Sequence, residues 1–270
     1  MRIRTLLLIT CSALAPLGAT TIEAQVAIIG SAIHEHEASP GESYEGTVMV
    51  ENTTAAQQVV RVYQTDYHFH ADGRSSFDAP GTAARSNATW MTLSSSEATI
   101  LPGERARLKY RVAVPGPGTD SLRGTYWSVI MVEGAGQGSA GVGAPESDAM
   151  LTATVRHAIQ VATHIVGTGS PLVEFSEPSI AIGPDSGRTL QVDLSNDGGR
   201  AHRLEIVLEL FTDDGAPVAT LRSSRGLLYP GSSLRQHFAL GVLPAGTYRA
   251  LVVADAGGDA VFGAQYTLRF

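Results

Sequence analysis

The chain has 270 residues, of which 43% are hydrophobic and only 17% are charged, and its formal net charge is −7. This hydrophobic fraction excludes a disordered chain, the low charged fraction excludes a coiled coil, and the acidic balance argues against nucleic acid as a partner. Glycine and proline contribute 29 and 13 residues, which indicates a turn-rich globular protein built of strands. At about 150 residues per domain, the length allows one large or two medium domains.

The first two dozen residues have the layout of a secretory signal peptide. Arg2 and Arg4 form a short basic start, an apolar run follows, and small residues lead to a cleavage point after Ala24. The run is too short for a membrane anchor. We therefore predict that residues 1–24 are removed, together with the single cysteine, Cys11. The mature protein is expected in the periplasm or outside the cell, without a stable membrane anchor.

Apolar residues recur at every second position in a series of short segments, as half-buried strands require. Turn sequences separate these segments, and no helical periodicity is sustained over three turns. The pattern predicts an all-β protein. The alternating segments are 45–51, 59–69, 105–114 and 126–132 in the first half, and 189–194, 204–211, 234–240 and 248–254 in the second.

The order of landmarks in the first half returns in the second half. Asn52, Asp72-Gly73, Pro102-Gly103 and Gly124-Thr125-Tyr126 have their counterparts in Asn196, Asp214-Gly215, Pro230-Gly231 and Gly246-Thr247-Tyr248. Roughly seven to nine short strands in each half are typical of an immunoglobulin-like sandwich. We therefore predict two tandem immunoglobulin-like β-sandwiches after a cleaved signal peptide.

A glycine-rich stretch, residues 134–149, interrupts this rhythm and predicts a flexible loop. The segment 151–165 alternates again, so it is the predicted last strand of the first sandwich. The boundary then falls in the short glycine-containing break at 167–171. The predicted domains are 25–168, which includes the loop, and 169–270.

Four polar residues stand at every second position and would share one face of a strand: Asp66, His68, His70 and Asp72. Two imidazoles and two carboxylates could hold a zinc-like ion, but the sequence offers no distant ligands that would close the site. The same holds for the alternating histidines and glutamates at 34–37. We expect a solvated outer face at residues 66–72, with no metal ion and no cofactor.

No catalytic constellation is apparent in the sequence. There is no Gly-x-Ser-x-Gly nucleophile elbow, and no thiol remains once the signal peptide is removed. The glycines at 136–141 match a dinucleotide-binding fingerprint, but Gly143 and Pro145 prevent the helix that this motif requires. We therefore expect that the protein is not an enzyme.

Several short motifs follow one another in the first half of the chain: Ser39-Pro40-Gly41-Glu42, residues 48–52, Asp66-Tyr67, Asp72-Gly73, Trp90, Leu101-Pro102-Gly103-Glu104 and Gly124-Thr125-Tyr126-Trp127. Over about residues 26–167 they resemble the amino-terminal domain of periplasmic pilus chaperones, which are bacterial extracytoplasmic immunoglobulin-like proteins. In that family the last strand of the first domain follows a long mobile loop and supplies the strand that an incomplete subunit lacks. The resemblance implies that residues 134–149 correspond to this loop and residues 151–165 to this last strand. The family's basic pair, an arginine in the first strand and a lysine in the last, is absent, although the last strand contains Arg156.

The resemblance implies a chaperone-like protein that binds an extended segment of a secreted or surface-assembled protein, such as a pilus-like subunit, by strand addition. The expected partner-binding residues lie on the last strand of the first sandwich: Leu151, Ala153, Val155, Arg156, Ile159 and Val161. The alternative is a structural or adhesive tandem module that binds a component of the cell envelope. An exposed pairing edge beside 151–165 favours the first function, and a covered edge favours the second.

Overall fold

The computed structural model describes residues 26–118, 122–134, 155–223, 226–258 and 260–270. These residues form nineteen strands and one short 3-10 helix at Ala88–Trp90, so the predicted all-β fold class is confirmed. The strands up to residue 165 are β1 (Val26–Ile29), β2 (Ile33–Ala38), β3 (Ser43–Asn52), β4 (Gln58–Phe69), β5 (Ser75–Asp78), β6 (Met91–Leu93), β7 (Glu97–Ile100), β8 (Arg105–Ala113), β9 (Thr125–Gly134) and β10 (Arg156–Ile165). The later strands are β11 (Val173–Phe175), β12 (Ser179–Ile182), β13 (Arg188–Asn196), β14 (His202–Thr212), β15 (Pro217–Arg222), β16 (Gly226–Leu228), β17 (Ser233–Gly241), β18 (Thr247–Asp255) and β19 (Val261–Arg269).

Strands β1 to β10 form two sheets that pack face to face, and we call this pair the first sandwich. One sheet has the order β1-β3-β8-β6, and the other has the order β2-β10-β9-β4-β5, with β7 also paired to β4. Strand β2 runs parallel to β10, whereas the other pairs in these sheets are antiparallel. Apolar side chains from both sheets meet in one buried core, which includes Val48, Val50, Val60, Val62, Leu108, Val112, Ile130, Val132, Ile159 and Val161.

Alternation along the strands places these side chains in the core. In β8, Leu108, Tyr110 and Val112 are buried, whereas Lys109 and Arg111 between them are exposed. This arrangement follows from the pleat, which directs successive side chains to opposite faces of a sheet. Burial of one such aliphatic side chain stabilises the fold by about 1.5–3 kcal/mol relative to exposure.

The chain crosses from one sheet of the first sandwich to the other between β1 and β2. Strand β1 pairs with β3, and β2 pairs with β10 in the facing sheet. Gly30 lies at this crossing with a φ of 100°, which glycine adopts without the steric cost of a Cβ atom. The crossing brings β2 to the edge of the sheet that contains β10.

Strands β11 to β19 form the second sandwich. In one sheet, β11 and β12 pair with opposite ends of β13 and β17 pairs along almost all of it; the other sheet has the order β15-β14-β18-β19, with β16 also on β14. The core between them includes Leu190, Val192, Leu194, Leu204, Ile206, Leu208, Leu210, Leu228, Phe238, Ala250 and Val252.

Asn52 and Asn196 have the same structural role in the two sandwiches. Each is buried at the end of a strand, and its side-chain amide donates hydrogen bonds to two backbone carbonyl oxygens at 2.7–3.0 Å. The N–H of Gly103 donates to the carbonyl of Asn52 at 3.0 Å, and that of Gly231 donates to the carbonyl of Asn196 at 2.8 Å. Both glycines have a positive φ, of 70° and 73°. The repeated sequence landmarks therefore mark the same strand-end turn in each sandwich.

Residues 166–172 connect β10 to β11, and the predicted boundary at 167–171 lies inside this connection. The division into domains 25–168 and 169–270 stays a prediction. The predicted signal peptide, residues 1–24, and the predicted loop beyond Gly134 lie outside the described residues. Within the described ranges, no helix is long and apolar enough to cross a membrane.

Candidate binding edge

Strand β10 is covered unequally on its two sides. Strand β9 pairs antiparallel with it along nine residues, from Arg156 to His164. On the other side, β2 pairs only with residues from Gln160 to Ile165. Among the described strands, none pairs with Arg156–Ile159 on that side. We call these four residues the β10 edge.

The direction of the backbone groups at the β10 edge follows from the neighbouring hydrogen bonds. The N–H of Ile165 donates to Gly124 at the start of β9, at 2.8 Å, and the N–H of Gln160 donates to Ala32, just before β2, at 2.8 Å. Because alternate residues of a strand direct their N–H and C=O groups to the same side, even-numbered residues of β10 point away from β9. The N–H and C=O groups of Arg156 and Ala158 therefore point to the uncovered side.

The predicted binding side chains have different surroundings. Ile159 and Val161 are fully buried in the core of the first sandwich, so a partner cannot reach these side chains. Arg156 is exposed, and its Nε lies 3.4 Å from Glu133 Oε2. Val155 is half-buried just before β10. Leu151 and Ala153 lie outside the described residues. In the described part of β10, the accessible groups at the β10 edge are therefore backbone groups and the side chain of Arg156 rather than an apolar side-chain row, and the binding role of the predicted residues stays a prediction.

The second half of β10 is buried on both faces, which the one-sided alternation of the sequence did not predict. Ala162 is fully buried in a cluster with Trp127, Leu227 and Tyr229, which joins the first sandwich to the second. Trp127 and Tyr229 stack with ring centroids 4.6 Å apart. The small side chain of Ala162 is compatible with close packing on this face, but the sequence does not indicate which surface covers it.

A cleft of about 300 Å³ lies where the two sandwiches meet. Its charged groups are paired across the junction: Arg203 donates to Glu35 at 2.6 Å, and Arg200 donates to Glu37. His164, at the end of β10, has its Nε2 3.4 Å from Glu35. The hydrogen bond from His164 and the charge of Arg203 hold the pKa of Glu35 below its ordinary value, although desolvation opposes them. The ion pairs that line the cleft therefore connect the two sandwiches.

Asp66 does not lie on a solvated face, contrary to the sequence-based expectation. It is fully buried, and its carboxylate accepts hydrogen bonds from the N–H groups of Gly81 and Ala83, at 3.2 and 2.7 Å, and from the hydroxyl of Ser86. The loop after β5 folds back over β4 and directs these donors at Asp66. Alternation along β4 alone could not show this, because the donors come from residues 15 to 20 positions away.

His68, His70 and Asp72, which were predicted to share a face with Asp66, have surroundings different from those of Asp66. His68 is half-buried and lies edge-on to Trp127, with ring centroids 5.7 Å apart. His70 and Asp72 are exposed, and Asp72 accepts a hydrogen bond from Arg74 Nε. Within the described ranges, no three histidine, cysteine, aspartate or glutamate side chains are placed to hold a metal ion.

Comparison with known proteins gives matches of structure only. No family model and no curated protein matches the chain. A chain of the SafA pilin–SafB chaperone complex of Salmonella enterica matches with 11% identity and a TM-score of 0.43, covering 92% of this chain and 99% of that one. A chain of the CsuC–CsuE chaperone–tip subunit complex of Acinetobacter baumannii matches with 13% identity and a TM-score of 0.43, covering 79% and 90%. The PapD-like domain 7 of human CEP192 matches with 15% identity and a TM-score of 0.35, covering 58% and 96%.

Fimbrial chaperones, the class named by the sequence resemblance, are among the matched structures, as a Class 5 fimbriae chaperone with 10% identity and a TM-score of 0.42 shows. Identities of 10–15% and TM-scores below 0.5 are too low to transfer a function to this chain.

Proposed function

We propose that this protein is an extracytoplasmic, periplasmic binding protein of chaperone-like type. It takes up an extended segment of a secreted or surface-assembled partner as an added strand on the β10 edge. The partner is a strand-rich protein such as a pilus-like subunit, and the protein has no catalytic role. The observation that carries the proposal is the partial cover of β10, whose backbone groups at Arg156 and Ala158 have no strand beside them in the described part of the chain.

The β10 edge is suited to strand addition because it is rigid before a partner arrives. Pairing with β9 fixes the backbone, and the buried side chains of Ile159 and Val161 hold the strand against the core. Binding of a partner therefore costs little conformational entropy in this protein, because the edge is already ordered. Each backbone hydrogen bond it forms contributes about 1 kcal/mol net. The start of β2 limits the site, since Gln160 already donates to Ala32.

The test uses proline at two adjacent positions of β10. In Ala158→Pro, the lost N–H is one that points to the uncovered side, so the fold should persist and partner binding should be lost. In His157→Pro, the lost N–H points to β9, so the sandwich itself should be destabilised. Thr220→Pro, on the exposed edge strand β15, is the matched control that should bind like the parent.

The protein is co-expressed with each small strand-rich secreted protein encoded beside its gene, and complexes are isolated by size-exclusion chromatography. Amide hydrogen exchange then checks the geometry: the amides of Arg156 and Ala158 should exchange fast in the free protein and slowly in the complex. Equal binding by the parent and by Ala158→Pro, or no protection at these two amides, would reject strand addition here. The structural or adhesive module then becomes the better account.

A further inference from the structure

Strand β19 is the last strand of the second sandwich, and it corresponds to β10 in the first. Strand β2 covers part of β10, but β11 and β12 both pair with β13 in the opposite sheet. In the part of the chain that the structure describes, β19 pairs with β18 alone. Nine residues of strand edge therefore have no hydrogen-bonded strand beside them in the described part of the chain, more than at the β10 edge, although β11 and Ser176 from the facing sheet approach β19.

The hydrogen bonds to β18 determine which groups of β19 are available. Gly246 and Phe270 exchange two backbone hydrogen bonds of 3.0 Å, so the even-numbered residues of β19 face β18. The odd-numbered residues consequently direct their N–H and C=O groups to the uncovered side. These are Val261, Gly263, Gln265, Thr267 and Arg269, and all five are exposed.

Strand β19 lacks the devices by which edge strands avoid pairing. It contains no proline and no register shift, and Arg269 at its end is its one charged residue. The opposite edge of the same sheet is protected, because β15 begins with Pro217 and has a register shift against β14. Strand β17 carries Arg235, which pairs with Asp193 at 2.6 Å.

We propose that β19 is a homodimer interface, on which β19 of a second copy pairs antiparallel about a two-fold axis at Gln265. This is the register that uses all five available residues, since it places Gly263 opposite Thr267 and Val261 opposite Arg269 of the second copy. It forms about ten backbone hydrogen bonds and joins two five-stranded sheets into one continuous sheet.

Two further features favour a second copy as the occupant. In this register Arg269 of the second copy lies opposite Val261, whose neighbour on β18 is Asp255. Arg269 of the second copy and Asp255 therefore lie on the same face of the joined sheet, two strands apart with Val261 between them, and this proximity of opposite charges occurs twice across the two-fold axis. The position of the edge is also fixed before a second copy binds, since the hydroxyl of Tyr266 donates to the carbonyl of Ser176, between β11 and β12, at 2.8 Å.

Sedimentation equilibrium of the purified protein tests the interface. The parent should show a concentration-dependent monomer–dimer equilibrium. Gln265→Pro removes an N–H that β18 does not use, so it should fold and sediment as a monomer. Gln265→Lys, which places two like charges opposite each other, should also weaken the dimer by at least about tenfold. Thr220→Pro, on the opposite edge of the same sheet, should dimerise like the parent.

A cysteine pair checks the register, in a Cys11→Ser background. Gln265→Cys places two cysteines opposite each other with Cα atoms about 5.5 Å apart, which a disulfide can bridge. Thr267→Cys places them four residues out of register, at about 13 Å, which it cannot. Mild oxidation should therefore cross-link the first variant and not the second. A parent that stays monomeric, a Gln265→Pro variant that still dimerises, or equal cross-linking of both cysteine variants would overturn the proposal.

Discussion

The carboxylate of Asp66 determines the path of the loop that follows β5. Two backbone N–H groups and two hydroxyls from residues 81–86 donate to this fully buried side chain. A buried carboxylate is tolerated because charged hydrogen bonds replace its hydration. The same arrangement makes the residue hard to replace, since a neutral side chain would remove a charged acceptor that several donors share.

We expect Asp66→Ala to lower the free energy of unfolding by about 2–4 kcal/mol, because it removes several hydrogen bonds to a charged acceptor and leaves the buried hydroxyl of Ser86 without this partner. Asp72→Ala, six residues further on at an exposed turn, is the control and should change stability by less than about 0.5 kcal/mol. Urea unfolding at neutral pH measures both. Equal effects of the two substitutions would contradict the structural role assigned to Asp66.

Glu35, which lies where the two sandwiches meet, makes the free energy of unfolding depend on pH. The hydrogen bond from His164, together with Arg203, lowers the pKa of Glu35 below its ordinary value of 4.5. A carboxyl group whose pKa is lower in the folded state stabilises that state above pH 4.5, and the contribution is lost as the pH falls through the folded pKa. Glu35→Gln should therefore lower the thermal midpoint at pH 7, with a difference from the parent that shrinks as the pH drops below 4.5. A pH-independent difference would show that the charge of Glu35 is not involved.

At the scale of the strands, alternation predicted the elements that line the two cores. Strands β8, β9, β14 and β18 lie where the sequence pattern placed them, because one face of each packs on a core and the other is polar or covered. The pattern did not show that β10 is buried on both faces beyond Ile159. That burial comes from the second sandwich, and local periodicity contains no information about a surface supplied by residues 201–229.

The β10 edge illustrates the same limit. The sequence located the strand and suggested its side chains as the binding surface, but Ile159 and Val161 belong to the core. Which backbone groups are uncovered depends on where β2 begins after the crossing at Gly30, and the short segment 33–38 alternates histidine with glutamate rather than apolar with polar residues. Parallel pairing between distant strands could not be deduced from either segment alone.

At the scale of the whole molecule, the two sandwiches meet through glycines as well as through charges and aromatic rings. The N–H of Thr125 donates to the carbonyl of Gly199 at 2.9 Å. A Cβ atom on Gly124 would lie 1.7 Å from that same carbonyl oxygen, and Gly124 has a φ of 75°. The sequence repeat gives Gly124 a counterpart, Gly246, where a Cβ atom would meet nothing closer than 3.7 Å. Gly124-Thr125-Tyr126 therefore contributes to the contact between the sandwiches, whereas its repeat Gly246-Thr247-Tyr248 has no such close approach at its glycine.

Gly124→Ala should open this junction. The substitution combines a strained left-handed backbone with a collision against Gly199, so we expect a loss of about 3 kcal/mol or more and a larger radius of gyration in small-angle X-ray scattering. Two controls separate the causes. Gly103→Ala has a similar φ of 70° but open space around its Cβ position, so it should cost only about 1–2 kcal/mol. Gly246→Ala should cost less still and leave the radius unchanged. If Gly124→Ala matched Gly103→Ala in both stability and radius, the sandwiches would not be held together by this close approach, because the carbonyl of Gly199 would have moved aside without cost.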